Sequence, residues 1–381
     1  MGDTQKHTKP NVPNLRFPGF EGEWEQHLLS EYLDFKNGLN PSAKSFGEGI
    51  KFISVMDILN NPFITYDCIR ASVNATEKEK QEFNVEYGDI LFQRSSETLE
   101  DVGHANVYLD SRTALFGGFT IRGKKKGVYN PLFFKYLLDS PTARKKVIVK
   151  GAGAQHFNIG QEGLSKVVLS FPSIQEQNRI AVFMNLLDQR IAIQNKVIEK
   201  YESLIKALAY EIIGKNTANK TLSECVCCTS STLKESDLGG HGAIPAYGAA
   251  GISGFTDNAL SDEDSILITK DGSGVGSLRY VNGSHSFVGT LNSMTPQEGV
   301  YLPYIYYALQ NVCFERYRTG QAIPHIYFKN YGKEAIYCPS FDNQKRLAKG
   351  FEMIDTKIGI ERAVLQSLQS AKAYLLSAMF I

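Results

Sequence analysis

The chain is written twice, and this constrains its fold more than any other feature. Pro172-Ser173, Gln177, Arg179 and Ala181 recur as Pro339-Ser340, Gln344, Arg346 and Ala348, each 167 residues further on. Upstream, Leu29-Ser30-Glu31 returns as Leu222-Ser223-Glu224. Asp89-Ile90-Leu91 has a counterpart in Asp264 and Ile266-Leu267, and Tyr129 and Pro131 match Tyr301 and Pro303. The offset falls in order from 193 through about 176 and 172 to 167, the drift expected of one unit duplicated with shorter loops in its second copy.

Each copy closes on a long helix. From Ile180 a 4-3 spacing passes through Met184, Leu187, Ile191, Gln194, Ile198, Tyr201, Ile205, Leu208 and Ile212, with one polar interruption. The second copy gives Leu347, Phe351, Ile354, Ile358, Glu361, Leu365, Leu368, Lys372, Leu375 and Met379, and Glu361 lies 167 residues after Gln194. Pro172 and Pro339 mark both helix starts, since proline suits the first turn and stops the preceding strand from continuing as helix. A single amphipathic helix of this kind would lie on its own domain. Two matched segments, each roughly 50 to 60 Å long at 1.5 Å per residue, favour each other as partners in an antiparallel coiled coil. Gln194 and Glu361 would then form a polar layer that fixes register.

With 381 residues the chain has room for two domains and connecting elements. Lys+Arg 41 against Asp+Glu 40 leaves a formal charge of +1, so any nucleic-acid contact comes from local patches or from a basic partner. The polar start and the absence of a long apolar run predict a cytoplasmic protein with no signal peptide and no membrane span. Six cysteines, three of them crowded at Cys225, Cys227 and Cys228, give no zinc pattern and argue for reduced thiols.

Residues 25–171 and 218–338 read as α+β: short strands such as Ile90-Leu91-Phe92 and Ser265-Ile266-Leu267-Ile268, glycine-bearing loops, and a helix at 131–138 matched at 303–309. Basic residues interleave with aromatics and amides. The candidates for DNA contact in the first unit are Arg94, Lys124, Lys125, Lys126, Arg144, Lys145, Gln155 and His156. In the second they are Lys270, Ser273, Arg318, Gln321, His325 and Lys329.

No credible active site accompanies them, and no cofactor is expected. Gly118 to Lys124 is one residue short of a phosphate-binding loop and has Lys125 where a Ser or Thr must stand. Asn61-Pro62-Phe63 lacks the second proline of the amino-methyltransferase tetrapeptide. The glycines of 271–276 do not fit a dinucleotide fingerprint. His156 and His325 have no nucleophile at fixed spacing.

A duplicated α+β unit, each copy ending in Pro-Ser-x-x-x-Gln-x-Arg before a heptad helix, resembles the specificity subunit of Type I restriction-modification enzymes. Residues 12–24, reading Val-Pro-Asn-Leu-Arg-Phe-Pro-Gly-Phe-Glu-Gly-Glu-Trp, are similar to the start of that family's Gram-positive members. The resemblance implies a target-recognition domain at 1–171, a central spacer helix at 172–215, a second recognition domain at 216–338 and a C-terminal spacer helix at 339–381. It implies a non-catalytic subunit that reads a bipartite double-stranded DNA target. Two methyltransferase subunits and the restriction/motor subunits are its implied partners, and no membrane is involved. Its conserved segments correspond here to Gly88-Asp89-Ile90-Leu91 with Arg94, to 151–156, and to 270–276 and 320–325 as their second-unit counterparts. The competing readings are a stand-alone coiled-coil DNA-binding regulator, which the near-neutral charge disfavours, and a purely structural interaction protein, which the basic-aromatic loops disfavour.

Overall fold

The strand with the most continuous apolar run in each copy, Ile90–Gln93 in the first and Ser265–Thr269 in the second, is buried along its whole length. A strand buried on both faces must be covered by structure on each side, and in both copies it lies inside a four-stranded antiparallel sheet. A computed structural model describes residues 11–153, 156–239, 242–321 and 323–381. The first sheet comprises β1 (Leu33–Asn37), β2 (Ile90–Gln93), β3 (Ala105–Val107) and β4 (Thr120–Lys125), in the order β1-β4-β2-β3. The helix α1 (Pro131–Asp139) follows it, and then the long helix α2 (Ile174–Ala209). The second copy repeats this with β5 (Val226–Ser230), β6 (Ser265–Thr269), β7 (Leu278–Val281) and β8 (Leu291–Pro296) in the order β5-β8-β6-β7. The helices α3 (Leu302–Leu309) and α4 (Phe341–Ala378) complete it. Sheet order is thus duplicated along with sequence.

The chain divides into two compact units, one made of Met1–Gln194 with Val364–Ile381 and the other of Asn195–Ala363. Each unit therefore holds one recognition sheet, the first half of the helix leaving it, and the last half of the other long helix. In the first unit Ile180, Ala181 and Met184 of α2 share a core with Trp24, Phe133 and Phe134, and Met379 and Phe380 from the chain's end are buried in the same cluster. Phe380 meets Trp24 edge-on at 6.4 Å and Phe133 at 5.7 Å. Lys372 of α4 pairs with Asp188 of α2 at 2.6 Å. In the second unit a different ion pair joins the two helices, Arg362 of α4 with Glu202 of α2, also at 2.6 Å. The end of α2 is pinned there by Asn311, whose side-chain amide donates to the Ala209 carbonyl at 3.0 Å. Gln194 is buried, and Glu361 accepts an ion pair from Lys357 one turn earlier.

The repeated glutamine explains why both helices start where they do. Gln177 Oε1 accepts the backbone N–H of Asn130, which caps α1, and its Nε2 donates to the Pro172 carbonyl. Gln344 does the same with Tyr301 and Pro339, which makes Tyr301 the counterpart of Asn130 and corrects the match of Tyr129 with Tyr301 by one residue. One carboxamide in each unit thus ties the start of the short helix to the strand end that feeds the long one. Both are buried with donor and acceptor satisfied, as a buried amide requires. A second repeated bond lies above it. Tyr136 Oη donates to Asp188 at 2.9 Å and Tyr307 Oη to Asp355 at 2.5 Å. Burial, reinforced by the carboxylate, pushes both phenols far above their ordinary range.

Candidate nucleic-acid interface

At the C-terminal end of β2 the chain emerges as Arg94. Its backbone N–H donates to the Phe119 carbonyl in the turn before β4, and its carbonyl accepts from the Ile159 N–H. At the end of β6 Lys270 makes the same two bonds, to the Thr290 carbonyl and from the Ile326 N–H. A cation, a turn and a returning hairpin are therefore built into one frame in each unit. Each hairpin turns on a glycine. Gly153 has φ +148° and a Cβ there would stand 2.0 Å from the His156 carbonyl oxygen; Gly320 has φ +84° and would meet the Ile323 oxygen at 2.4 Å. Only glycine fits such close backbone approaches.

This frame brings together several candidates. In the second unit Gly272 N–H donates to the Pro324 carbonyl, so the loop bearing Lys270 and exposed Ser273 lies against the hairpin bearing Gln321 and His325. Arg318, paired with Glu315 at 3.3 Å, precedes that hairpin directly. Lys329 lies on the short helix just beyond, 5.4 Å from the Tyr327 ring centroid. In the first unit Arg94 and exposed His156 belong to the frame, while Gln155 lies outside the described residues.

Other candidates lie elsewhere. Lys124, Lys125 and Lys126 stand at the far end of β4 from the Phe119 turn, about 17 Å along a six-residue strand. Lys124 and Lys126 face Glu86 and Asp34, and Lys125 reaches the Tyr129 carbonyl and ring. Arg144 turns inward, its Nη2 donating to the carbonyls of Glu100 and Val102, and burial lowers its pKa; Lys145 beside it is exposed. Gly88 and Asp89 brace the sheet. Asp89 accepts backbone N–H bonds from Glu86 and Lys125, and burial raises its pKa. The match of 151–156 with 320–325 shifts in the structure, where 152–158 corresponds to 319–325. The hairpin bridges are Ala152 with Asn158 and Thr319 with His325, so Asn158 is the structural partner of His325.

Sequence reasoning missed Phe119, which is 72% exposed on the turn beside Arg94. The paired glycines before it, Gly117 and Gly118, were its only signal. It also missed Leu186 and Ile193 on α2 and Met353 and Ile360 on α4, apolar and exposed at the same 167-residue offset. Among the described residues no group of three or more His, Cys, Asp or Glu is placed to hold a metal ion, and no helix is long and apolar enough to cross a membrane.

The Type I restriction modification DNA specificity domain model matches residues 21–203 and again 219–370, one match for each copy. The chain belongs to this family. It is a DNA-recognition specificity subunit, and the catalysis of such systems resides in other subunits. The stand-alone regulator is not favoured. Among solved structures, the S subunit of the Type I restriction-modification system from M. genitalium is similar at 20% identity and a TM-score of 0.60, covering 97% of this chain and 99% of that one. A chain from work on assembly and conformational transition of the type I R-M system is similar at 14% identity and a TM-score of 0.56, covering 95% and 98%. Both likenesses are of fold. A comparison with curated proteins gives no match.

Proposed function

We propose that this specificity subunit reads a split DNA target, each unit addressing one half through the end of its sheet that carries Arg94 or Lys270. The observation that supports this most directly is the repeated frame: the same two backbone bonds hold a cation, a turn and a glycine hairpin in both units. At that end the candidates are Arg94 and His156 in the first unit, and Lys270, Ser273, Arg318, Gln321, His325 and Lys329 in the second. Lys124, Lys125, Lys126 and Lys145 are left as outlying phosphate contacts, which position but do not specify.

The helices α2 and α4 pair antiparallel in this reading. Within the first unit the start of α2 shares a core with the end of α4, and within the second the end of α2 meets the first half of α4, as the two ion pairs record. Gln194 and Glu361 supply the polar layer. Two methyltransferase subunits dock on the helices, one on the surface with Leu186 and Ile193 and one on its repeat with Met353 and Ile360, and the restriction/motor subunits join for cleavage. The complex works in the cytoplasm.

The test is a mapping of methylated bases in cells with and without the gene, repeated after residues 25–171 are replaced by another recognition domain. The expected result is a bipartite motif of which only one half changes. A change in both halves would overturn the assignment of one half to each unit.

A further inference from the structure

The turn at residues 117–120 is held more firmly than an exposed loop needs to be. Thr120 N–H and Oγ1 both donate to the Gly117 carbonyl, Gly118 N–H donates to Leu39, and the Phe119 carbonyl accepts from Arg94. A Cβ on Gly118 would stand 1.9 Å from Asn40 Oδ1, so even the glycine is enclosed. Out of this fixed backbone Phe119 projects its ring into solvent, 72% exposed. Beside the ring lies a recess of about 410 Å³ lined by Leu39, Pro41, Phe46, Phe52 and Met56, of which Phe46 and Met56 are themselves 46% and 61% exposed. Arg94 Nη1 donates to the Gly118 carbonyl at 3.3 Å, which places the guanidinium beside the same turn. Gly118 is also part of the recess wall, so the cation and the recess share one turn. The equivalent position in the second unit is Thr290, on the same backbone bond to Lys270. The two units thus share a frame and differ in the side chain it presents, as expected where two different half-targets are read.

In the major groove the only apolar group that a base pair offers is the thymine C5-methyl, and an arginine fork is matched to guanine O6 and N7. We propose that Phe119 and its recess make an apolar contact with a thymine methyl in the half-target of the first unit, next to a guanine engaged by Arg94. This rests on the reading above that the Arg94 end of the sheet faces DNA.

The test uses the full chain with its methyltransferase partner, on duplexes carrying the methylated motif, with deoxyuridine replacing each thymine of that half in turn. Wild type is expected to lose about fourfold in affinity at one position, the value of one buried methyl group. Phe119→Ala is expected to bind the thymine duplex about that much more weakly and to ignore the deoxyuridine, while Phe119→Leu recovers part of the contact. The other half-target stays as specific as before. Insensitivity of wild type to every deoxyuridine, or undiminished sensitivity in Phe119→Ala, overturns the contact. So does loss of the methyltransferase from a folded Phe119→Ala chain, which would make the recess a protein-docking surface. Should the alanine variant not fold, the deoxyuridine scan of wild type and the leucine variant still decide. If the domain replacement changes one half-target and the deoxyuridine scan is flat, only the contact fails; if the replacement changes neither, the reading beneath it fails.

Discussion

The two carboxamides that clamp the helix starts are single residues whose removal has a readable consequence. Gln177→Leu leaves the Asn130 N–H and the Pro172 carbonyl without partners, and an unpaired buried group costs about 1–3 kcal/mol. The expected loss is about 2–3 kcal/mol. It can be followed in urea by fluorescence, because Trp24 is the chain's one tryptophan and lies in the first unit's core. Gln344→Leu should unfold the second unit earlier and leave the Trp24 transition less affected. His104 gives a pH signature. Burial lowers its pKa against the attraction of Asp139 and Asp101, with Arg144 and Lys135 adding to the lowering. The unfolded chain takes up the proton near pH 6.5, before the folded one does. Folding stability is thus full above that value and falls as pH drops toward the lower folded pKa. His104→Asn should flatten the fall in unfolding midpoint that sets in below about pH 6.5. At this scale the sequence was only partly legible. The glutamines stood out as identities, but the N–H groups that their oxygens accept lie more than forty residues away and no local pattern announces them. Lys124 and Lys126 looked like a DNA patch because their carboxylate neighbours, Glu86 and Asp34, come from distant parts of the chain.

Elements were read more easily than residues, because periodicity survives where pairwise contacts do not. The seam positions Ile180, Met184, Ile198, Ile205, Phe351 and Ile358 are buried, whereas Ile212, beyond the end of α2 at Ala209, is exposed and falls outside the seam; the helices begin within two residues of Pro172 and Pro339. The sheet order was not legible, since β4 inserts between β1 and β2 and no short-range signal fixes such a crossing. Nor was the second, exposed apolar stripe, which a seam-centred count passes over. If that stripe docks a partner, replacing Leu186 and Ile193 with Glu should leave the fold intact, as both are more than half exposed, and remove one methyltransferase from the complex. Met353→Glu with Ile360→Glu should remove the other. Mass measurement of the intact complex reads the outcome: retention of both methyltransferases in the first variant would separate this stripe from docking.

For the whole molecule, the antiparallel pairing proposed for α2 and α4 makes helix length a ruler for the distance between half-targets. Deleting one heptad from each helix, residues 191–197 together with 358–364, keeps the seam in phase, since seven residues are one full repeat of the 4-3 spacing. It removes Gln194 and Glu361 together, so neither polar side chain is left facing an apolar partner. The rod shortens by about 10 Å at 1.5 Å per residue. Along B-DNA that is about three base pairs and roughly a third of a helical turn, so the two reading ends would have to shift in both distance and angle. The expected result is a motif whose halves are unchanged and whose non-specific spacer is one to three base pairs shorter, or a complex that assembles and no longer binds. Methylation of the original motif at its original spacing and full rate would show that something other than the helices sets the distance.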